Sequence, residues 1–310
     1  MRRGRRAVGI VAGYVEKPWR ERGRLPTIVA RAENRFYCRA LEEVTVNLFA
    51  LRMLVAAVMV VVAGSAVVDA QEPGNKPETA AAAPAPATAS GHPDNDYWRK
   101  HDQQLLTDFG WLARFKDAND KLGPPAAGEN RVVFMGDSIT EGWHLDVSFP
   151  GKPYINRGIS GQTSPQMLLR FRQDVIGLQP KVVVILAGTN DIAGNTGPMT
   201  LEQSEGNLAS MAELATANHI KVVLCSVTPA FDFPWERGLE PAPKIDALNK
   251  WIKSYAAEKG YVYVDYHSAL KDAEDGLPPA LSRDGVHPLP AGYAIMAPLA
   301  EAGIAKALAQ

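Results

Sequence analysis

The sequence predicts an α/β domain of three layers with a mainly parallel sheet, and two observations together with one rule of topology lead to that prediction. Between residues 97 and 310, short runs rich in Val, Ile and Tyr alternate with longer amphipathic stretches. Several of these runs are apolar at consecutive positions, as strands covered on both faces must be. Parallel strands joined by helices form right-handed crossovers, which place helices on both sides of the sheet.

Five predicted strands follow one another along this part of the chain. They are RVVFMG at 131–136, PYINRG at 153–158, KVVVILAG at 181–188, IKVVLCSV at 220–227 and YVYVD at 261–265. Ligands bind at the carboxyl ends of the strands in such sheets. The residues that follow each strand are therefore the first candidates for a functional site.

Three helices between the strands carry their own start and stop signals. Ser164 and Pro165 form a predicted N-cap with proline in the first turn, and Thr200 with Gln203 fits a capping box. A third helix is expected to end near Gly260, which suits a C-cap. Its apolar face consists of Ile245, Leu248, Ile252 and Tyr255. We interpret these apolar faces as core.

Charge is distributed unevenly along the chain. Residues 1–52 carry a net charge of +7 and residues 53–310 one of −8, which together give the net charge of −1. Because the predicted domain is acidic, nucleic acid is not expected among its partners. The apolar content of 46% with 22% charged residues is that of a soluble globular protein rather than a disordered one.

The region before the domain reads as an export segment followed by a tether. The apolar run at 53–68 follows Arg52 and precedes a small-residue cleavage pattern, so 53–70 is predicted to be a signal peptide. The protein is then secreted or periplasmic and meets the membrane only during export; the alternative is an inner-membrane anchor at 53–68. Residues 71–96 form an Ala/Pro-rich linker to the domain at 97–310.

The basic leader at 1–52 is long for a segment that precedes a signal peptide. One hypothesis is that translation starts downstream, between Val44 and Leu51. Only Cys38 and Cys225 could form a disulfide, and cleavage near residue 70 would leave Cys225 alone. We expect Cys225 to be a small buried apolar residue.

Residues at the predicted strand ends combine into a set suited to acyl transfer. Ser138 follows the first strand at a turn into a helix and is the candidate nucleophile. His287 can take its proton, and Asp284, three residues earlier, can hold the imidazole in one tautomer. The N–H groups of Ser138 and Gly158 and the side-chain amide of Asn190 are candidate donors to a developing oxyanion.

Four blocks of the sequence resemble those of the SGNH/GDSL hydrolase family. The blocks are FMGDSIT at 134–140, NRGISG at 156–161, AGTND at 187–191 and DGVHP at 284–288. The resemblance implies a flavodoxin-like three-layer α/β/α sandwich with five parallel strands. It also implies a triad of Ser138, Asp284 and His287, with an oxyanion hole formed by Ser138, Gly158 and Asn190.

Within that family the sequence is most similar to the acetylhydrolase-type branch. This branch includes the catalytic subunits of platelet-activating-factor acetylhydrolase and bacterial carbohydrate acetylesterases. We therefore expect a serine esterase that cleaves an O-acyl ester, with acetyl on a carbohydrate or small molecule as first choice. The alternatives are a lysophospholipase or thioesterase acting on longer acyl chains, and a non-catalytic carbohydrate-binding protein.

Aromatic residues near the candidate nucleophile are expected to form the substrate wall. They are Trp143, Phe231, Phe233 and Trp235. Aromatic rings can stack on a sugar or pack an acyl chain, although they can equally anchor a long loop. No cofactor is expected, and no cluster has metal-ligand spacing. Asp137 and Asp191 are interpreted as carboxylates that stabilise turns.

Overall fold

The computed structural model describes residues 94–310, so the predicted leader, the predicted signal peptide and all but the end of the predicted linker lie outside the described residues. Five strands form one parallel sheet in the order β2-β1-β3-β4-β5. Their bounds are Val132–Gly136 (β1), Tyr154–Gly158 (β2), Val182–Leu186 (β3), Lys221–Cys225 (β4) and Val262–Val264 (β5). The predicted fold class and all five predicted strands are confirmed, each within a few residues.

Helices cover both faces of the sheet. Their bounds are Asp96–Thr107 (α1), Lys116–Leu122 (α2), Ser138–Glu141 (α3), Leu145–Ser148 (α4), Ser164–Asp174 (α5), Thr189–Ala193 (α6), Leu201–Ala217 (α7), Ala242–Lys259 (α8), Tyr266–Leu270 (α9) and Pro290–Leu308 (α10). A 3₁₀ turn at Ile176–Leu178 follows α5. Helices α5, α7 and α8 are the three that the periodicity predicted, and α3 is the helix expected after Ser138; the others are additions (α1, α2, α4, α6, α9 and α10).

Alternate strand residues face two separate apolar cores. On one face, Val133 and Met135 of β1 pack in a core with α5, α7 and α8, and on the other, Val132 and Phe134 pack in a core with α9 and α10. Both sets are almost fully buried, which explains why the strand is apolar at consecutive positions. Helix α10 approaches the sheet so closely that a Cβ at Gly303 would lie 2.5 Å from a Val264 methyl.

The helix ends follow the predicted signals with one correction. The N-cap of α5 is Thr163, which forms a capping box with Gln166, and Ser164 is the first helical residue rather than the cap. The capping box of Thr200 and Gln203 at the start of α7 is confirmed. Helix α8 ends at Gly260 with a φ of 72°, as a glycine C-cap allows.

Among residues 94–310, no helix is both long enough and apolar enough to cross a membrane.

Candidate active site

Strand β1 delivers Ser138 to the carboxyl edge of the sheet. The strand ends at Gly136, where a Cβ would lie 2.8 Å from the Leu186 carbonyl oxygen and 2.8 Å from Thr140 Cβ, so there is no room for a side chain between β3 and α3. Asp137 then caps α3, and its Oδ1 accepts from the Ile139 N–H at 2.9 Å. Ser138 is the first residue of α3, and N–H groups at that position have no partner within the helix.

Ser138, His287 and Asp284 form one hydrogen-bonded row. Ser138 Oγ lies 2.8 Å from His287 Nε2, and His287 Nδ1 lies 2.6 Å from Asp284 Oδ2. Because the ionised carboxylate of Asp284 only accepts, Nδ1 carries the proton and Nε2 is left to accept from the serine hydroxyl. The geometry is that of a nucleophile, its base and an orienting acid.

The Asp284 carboxylate is held in its ionised form by the loop that carries it. Partial burial alone would raise its pKa, but hydrogen bonds from the His287 N–H, the His287 ring and the Val286 N–H outweigh burial and lower the pKa to about 2. The two backbone donors lie 2.8 and 3.0 Å from Oδ1. Asp284 is therefore a stable negative partner for an imidazolium throughout the physiological range.

A pocket of about 320 Å³ opens above Ser138. It is lined by Tyr97, Trp98, Ser138, Ser160, Gly161, Asn190, Asn195, Trp235 and His287. The lining joins aromatic rings to a few polar groups, as is usual in small-molecule sites. Of the residues predicted for the site, Ser138, Asn190, Trp235 and His287 line this pocket, and Asp284 supports it from behind His287.

Gly158 does not line this pocket, which corrects its predicted place in the oxyanion hole. Its N–H donates to Asn156 Oδ1 at 2.8 Å, and a Cβ at this position would lie 2.1 Å from the Glu141 backbone nitrogen. Because Gly158 has no side chain, strand β2 can pack closely against α3. This close packing explains why the residue is glycine.

Gly161, three residues later in the same block, lies in the pocket instead. Its φ of +77° is accessible chiefly to glycine, and within residues 94–310 its N–H has no hydrogen-bond acceptor. The preceding Ser160 N–H is held by Glu141 Oε2 at 2.8 Å, which fixes the loop. The available N–H of Gly161 makes it the candidate donor from this loop.

The predicted substrate wall is reduced to one of its four aromatic residues. Trp143 is only 3% exposed, stacks on Tyr293 and belongs to the core beside α10, so it cannot contact a ligand in the pocket. Phe233 is fully buried beneath Trp235, with the ring centroids 5.2 Å apart. Phe231 is 65% exposed but lies outside the pocket lining. Of the four predicted aromatic residues, Trp235 is therefore the one that lines the pocket.

Two aromatic residues of α1, Tyr97 and Trp98, line the pocket and were not predicted. Trp98 is buried and its ring meets His101 edge-on, while Tyr97 is exposed at the rim. The aromatic pair directly after an aromatic-free linker was the available signal, since a linker has no reason to end in two large rings. Asn195 was also missed; its turn follows α6 and carries no recognisable motif.

Asp137 and Asp191 are both buried, but only Asp137 bonds a backbone N–H of its own turn, as predicted, whereas Asp191 lies in α6 and bonds the start of a different helix. Asp191 Oδ1 accepts from the Ser164 N–H at 2.7 Å, at the start of α5. Burial raises the pKa of both carboxyls, that of Asp137 to about 6 despite its bond from Ile139 and the nearby charge of His287. In the part of the chain that the structure describes, no group of His, Cys, Asp and Glu side chains could hold a metal ion.

Comparison with known proteins places these residues in a family. A model of the GDSL-like lipase/acylhydrolase family matches residues 134–295. The acetylxylan esterase of Geobacillus stearothermophilus is 30% identical over 203 residues, which are 54% of this chain and 90% of that protein. The acetylxylan esterase of Xylanibacter ruminicola is 27% identical over 67% of this chain, which spans about half (48%) of that longer protein.

The fold is also similar to that of a solved structure, the crystal structure of a GDSL-like lipase from Bacteroides thetaiotaomicron. The two sequences are 49% identical, the alignment covers 64% of this chain and 100% of the lipase chain, and the TM-score is 0.62. The residues that match the family model include Ser138, Asn190, Asp284 and His287, whereas α1 precedes them.

Proposed function

This chain belongs to the GDSL-like lipase/acylhydrolase family and is an ester-hydrolysing enzyme, and from that premise we propose that it removes acetyl groups from carbohydrates through an acyl-enzyme on Ser138. The observation that carries the proposal is the row of hydrogen bonds from Ser138 Oγ through His287 to Asp284, at 2.8 and 2.6 Å. This row opens into the pocket above Ser138.

In the first half of the proposed reaction, Ser138 Oγ attacks the ester carbonyl carbon while His287 Nε2 takes the hydroxyl proton. The oxyanion is met by the N–H groups of Ser138 and Gly161 and by Asn190 Nδ2. His287 then returns its proton to the departing sugar oxygen, and the acetyl group remains on Ser138. Asp284 stays ionised throughout and stabilises the imidazolium.

In the second half, a water molecule occupies the place of the departed sugar hydroxyl. His287 takes a proton from this water, the water oxygen attacks the acyl carbon, and the same donors hold the oxyanion. Collapse of the intermediate breaks the bond to Ser138, whose Oγ recovers the proton from His287. Acetate leaves, and the enzyme returns to its starting state without any cofactor taking part in these steps.

Three features support a small acyl group on a sugar. The pocket volume of about 320 Å³ lies at the small end of the usual range for ligand sites, which favours a small acyl group. The rings of Trp235 and Tyr97 line this pocket, and aromatic rings of this kind can stack on the apolar face of a sugar. Two relatives are acetylxylan esterases by name, which favours acetylated xylan as the substrate class.

The proposal is tested with nitrophenyl esters from acetyl to palmitoyl and with acetylated xylooligosaccharides. We expect the acetyl ester to be the best of the series and acetate to be released from the oligosaccharides. Activity that rises with chain length would replace this proposal by a lysophospholipase or thioesterase activity. Absence of activity on all of these esters would overturn the acetylesterase proposal.

Two serine variants, one at Ser138 and one control, test the role of Ser138. Ser138→Ala should abolish turnover and leave the unfolding midpoint near that of the wild type. Ser210→Ala removes a hydroxyl that bonds only the Gly206 carbonyl on the outer face of α7, and it should keep full activity. Mass spectrometry after rapid quenching should find the acetyl adduct on the peptide that contains Ser138, and an adduct elsewhere would refute the assignment.

We also propose that the enzyme is exported, because the apolar run at 53–68 has the length and flanks of a signal peptide. Amino-terminal sequencing of the protein recovered from the medium or periplasm should find a start near residue 71. Retention of residues 53–68 in a membrane fraction would favour the anchor instead.

A further inference from the structure

A line of hydrogen bonds joins the substrate wall to the oxyanion hole. Trp235 Nε1 donates to Asn195 Oδ1 at 3.1 Å, and Asn195 Nδ2 donates to Asn190 Oδ1 at 2.9 Å. The same Asn195 nitrogen donates to the Gly161 carbonyl oxygen at 3.1 Å. Asn190 Nδ2 donates in turn to the Gln162 carbonyl oxygen at 3.0 Å. Asn195 therefore contacts both parts of the site that meet a substrate oxygen.

The polarity of this line follows from its fixed ends. An indole N–H only donates, so the atom of Asn195 that faces Trp235 must be the carbonyl oxygen. Backbone carbonyls only accept, so the atoms that face Gly161 and Gln162 must be the amide nitrogens of Asn195 and Asn190. Both side-chain amides are thereby held in one orientation by groups that cannot reverse their role.

The orientation of the Asn190 amide decides whether the oxyanion hole works. With Nδ2 towards the Gln162 carbonyl, one hydrogen is used there and the second remains available for the pocket that Asn190 lines. A reversed amide would present an oxygen to the developing negative charge. Donors fixed before the reaction need no reorganisation as the charge develops.

We propose that Asn195, itself oriented by Trp235, is a positioning residue that fixes the Asn190 amide and the Gly161 loop for oxyanion stabilisation. This inference rests on the proposed function, because it assumes that Asn190 and Gly161 serve an ester carbonyl. Asn195 acts through these two residues and takes no proton. It is 1% exposed, which shields its hydrogen bonds from competition by water.

Trp235 then has two roles, because its ring face borders the pocket and its ring N–H bonds Asn195. Its ring stacks on the buried Phe233 with an interplanar angle of 19°, and its centroid lies 6.0 Å from that of His287. The ring face can contact a substrate while the ring N–H orients Asn195. A phenylalanine at this position keeps the aromatic ring but loses the donor, so Trp235→Phe separates the two roles.

Asn195→Asp is the sharpest single substitution, because it keeps shape but cannot donate when ionised. The carboxylate would still accept from Trp235 but would place negative oxygens against Asn190 Oδ1 and the Gly161 carbonyl. Loss of a whole oxyanion donor lowers kcat by about 100- to 1,000-fold. For Asn195→Asp we expect a fall in kcat on nitrophenyl acetate that approaches that range, with KM changed less than about threefold.

Trp235→Phe should lower kcat by less, about 3- to 10-fold, because Asn195 still donates to Asn190 Oδ1 and to the Gly161 carbonyl. Asn249→Ala is the matched control: Asn249 is a buried asparagine of α8 that bonds the Val227 backbone in both directions, at 2.7 and 3.0 Å. It should lower the unfolding midpoint with kcat near the wild-type value, which separates lost stability from lost positioning.

A double-substitution cycle tests the route of the effect. In an Asn190→Ala background, Asn195→Asp should lower kcat by a clearly smaller factor than in the wild-type background, because one of the two groups that it positions is gone and only its effect on the Gly161 loop remains. Equal losses in the two backgrounds, or a wild-type kcat for Asn195→Asp, would overturn the proposal. Inactivity of the wild-type enzyme on all acetyl esters would instead refute the proposed function, so the two failures are distinguishable.

Discussion

The buried carboxyl of Asp137 should contribute a loss of stability as pH rises from 4 to 7, and Asp137→Asn should remove that contribution. Asp137 is 1% exposed, and burial raises its pKa from 3.8 to about 6 although the Ile139 N–H and His287 oppose the shift. In the unfolded chain the same group has its ordinary pKa. The folded state therefore binds more protons than the unfolded state between about pH 4 and 6.

The sign and size of the effect follow from linkage. A raised pKa in the folded state adds stability that is fully present below pH 4 and is lost as pH rises through about 6. A shift of roughly two pKa units corresponds to about 3 kcal/mol in the free energy of unfolding, at 1.36 kcal/mol per unit. For a domain of this size that is a change of roughly 6 to 12 °C in the unfolding midpoint.

The assay compares wild type with Asp137→Asn by urea unfolding at pH 4, 5, 6, 7 and 8. Asparagine keeps the acceptor for the Ile139 N–H, so the cap is retained. The difference in unfolding free energy between the two proteins should move by about 3 kcal/mol in favour of the variant across this range. Asp117→Asn, on the exposed side of α2, controls for the change in net charge. A difference that stays constant with pH would refute a raised pKa for Asp137.

Three further predictions concern the triad, a packing glycine and the buried thiol. Asp284→Asn should lower kcat on nitrophenyl acetate by on the order of 10⁴-fold, because the amide no longer holds His287 in the reactive tautomer; a loss below tenfold would contradict this role. Gly158→Ala places a Cβ 2.1 Å from the backbone of α3. It should lower the calorimetric unfolding midpoint by several degrees, since overpacking costs about 1–3 kcal/mol, and an unchanged midpoint would disprove the close contact. Burial raises the pKa of the Cys225 thiol to about 12. In a Cys38→Ser chain, an aromatic disulfide reagent should therefore react with Cys225 only after unfolding, and prompt reaction of the native protein would refute its burial.

Patterns that depend on neighbours in sequence were predictable, and these include most of the fold. Strand β1 is apolar at every position because both of its faces are covered, and the periodicity of α7 and α8 follows from one buried face each. Ser138 was predictable for the same reason, since the end of a buried strand is visible in the sequence. The Asp284-x-x-His287 spacing places the acid and base on one loop, and their contact needs no knowledge of the fold.

Contacts between distant segments were not predictable from local pattern. Gly158 and Gly161 stand three residues apart in one block, and only the packing of α3 shows that the first serves a helix and the second faces the pocket. By sequence, Trp143 and Trp235 are equally good candidates for the substrate wall. In the folded chain, Trp143 lies in the core beside α10 and Trp235 lies beside His287.

The buried Arg170 shows how the separate loops of the site become one rigid unit. Its guanidinium donates to the Gly136 carbonyl at the turn before Ser138 and to Gln162 Oε1 in the loop after Gly161, at 3.1 and 2.6 Å. Burial lowers its pKa to about 10, against the opposing charge of Asp174, so it remains a cation at neutral pH.

A cation in a fully buried position is stable only when its donors are satisfied, and here two of its partners belong to the turn before Ser138 and to the loop after Gly161. Displacement of either loop would leave a buried charge with a missing acceptor. The Asn190 amide donates to the Gln162 carbonyl, and Arg170 holds the loop that contains Gln162. Asn195 bonds the oxygen of the same Asn190 amide. Two buried polar side chains, Arg170 and Asn195, therefore join the turn that carries Ser138 to the proposed oxyanion donors.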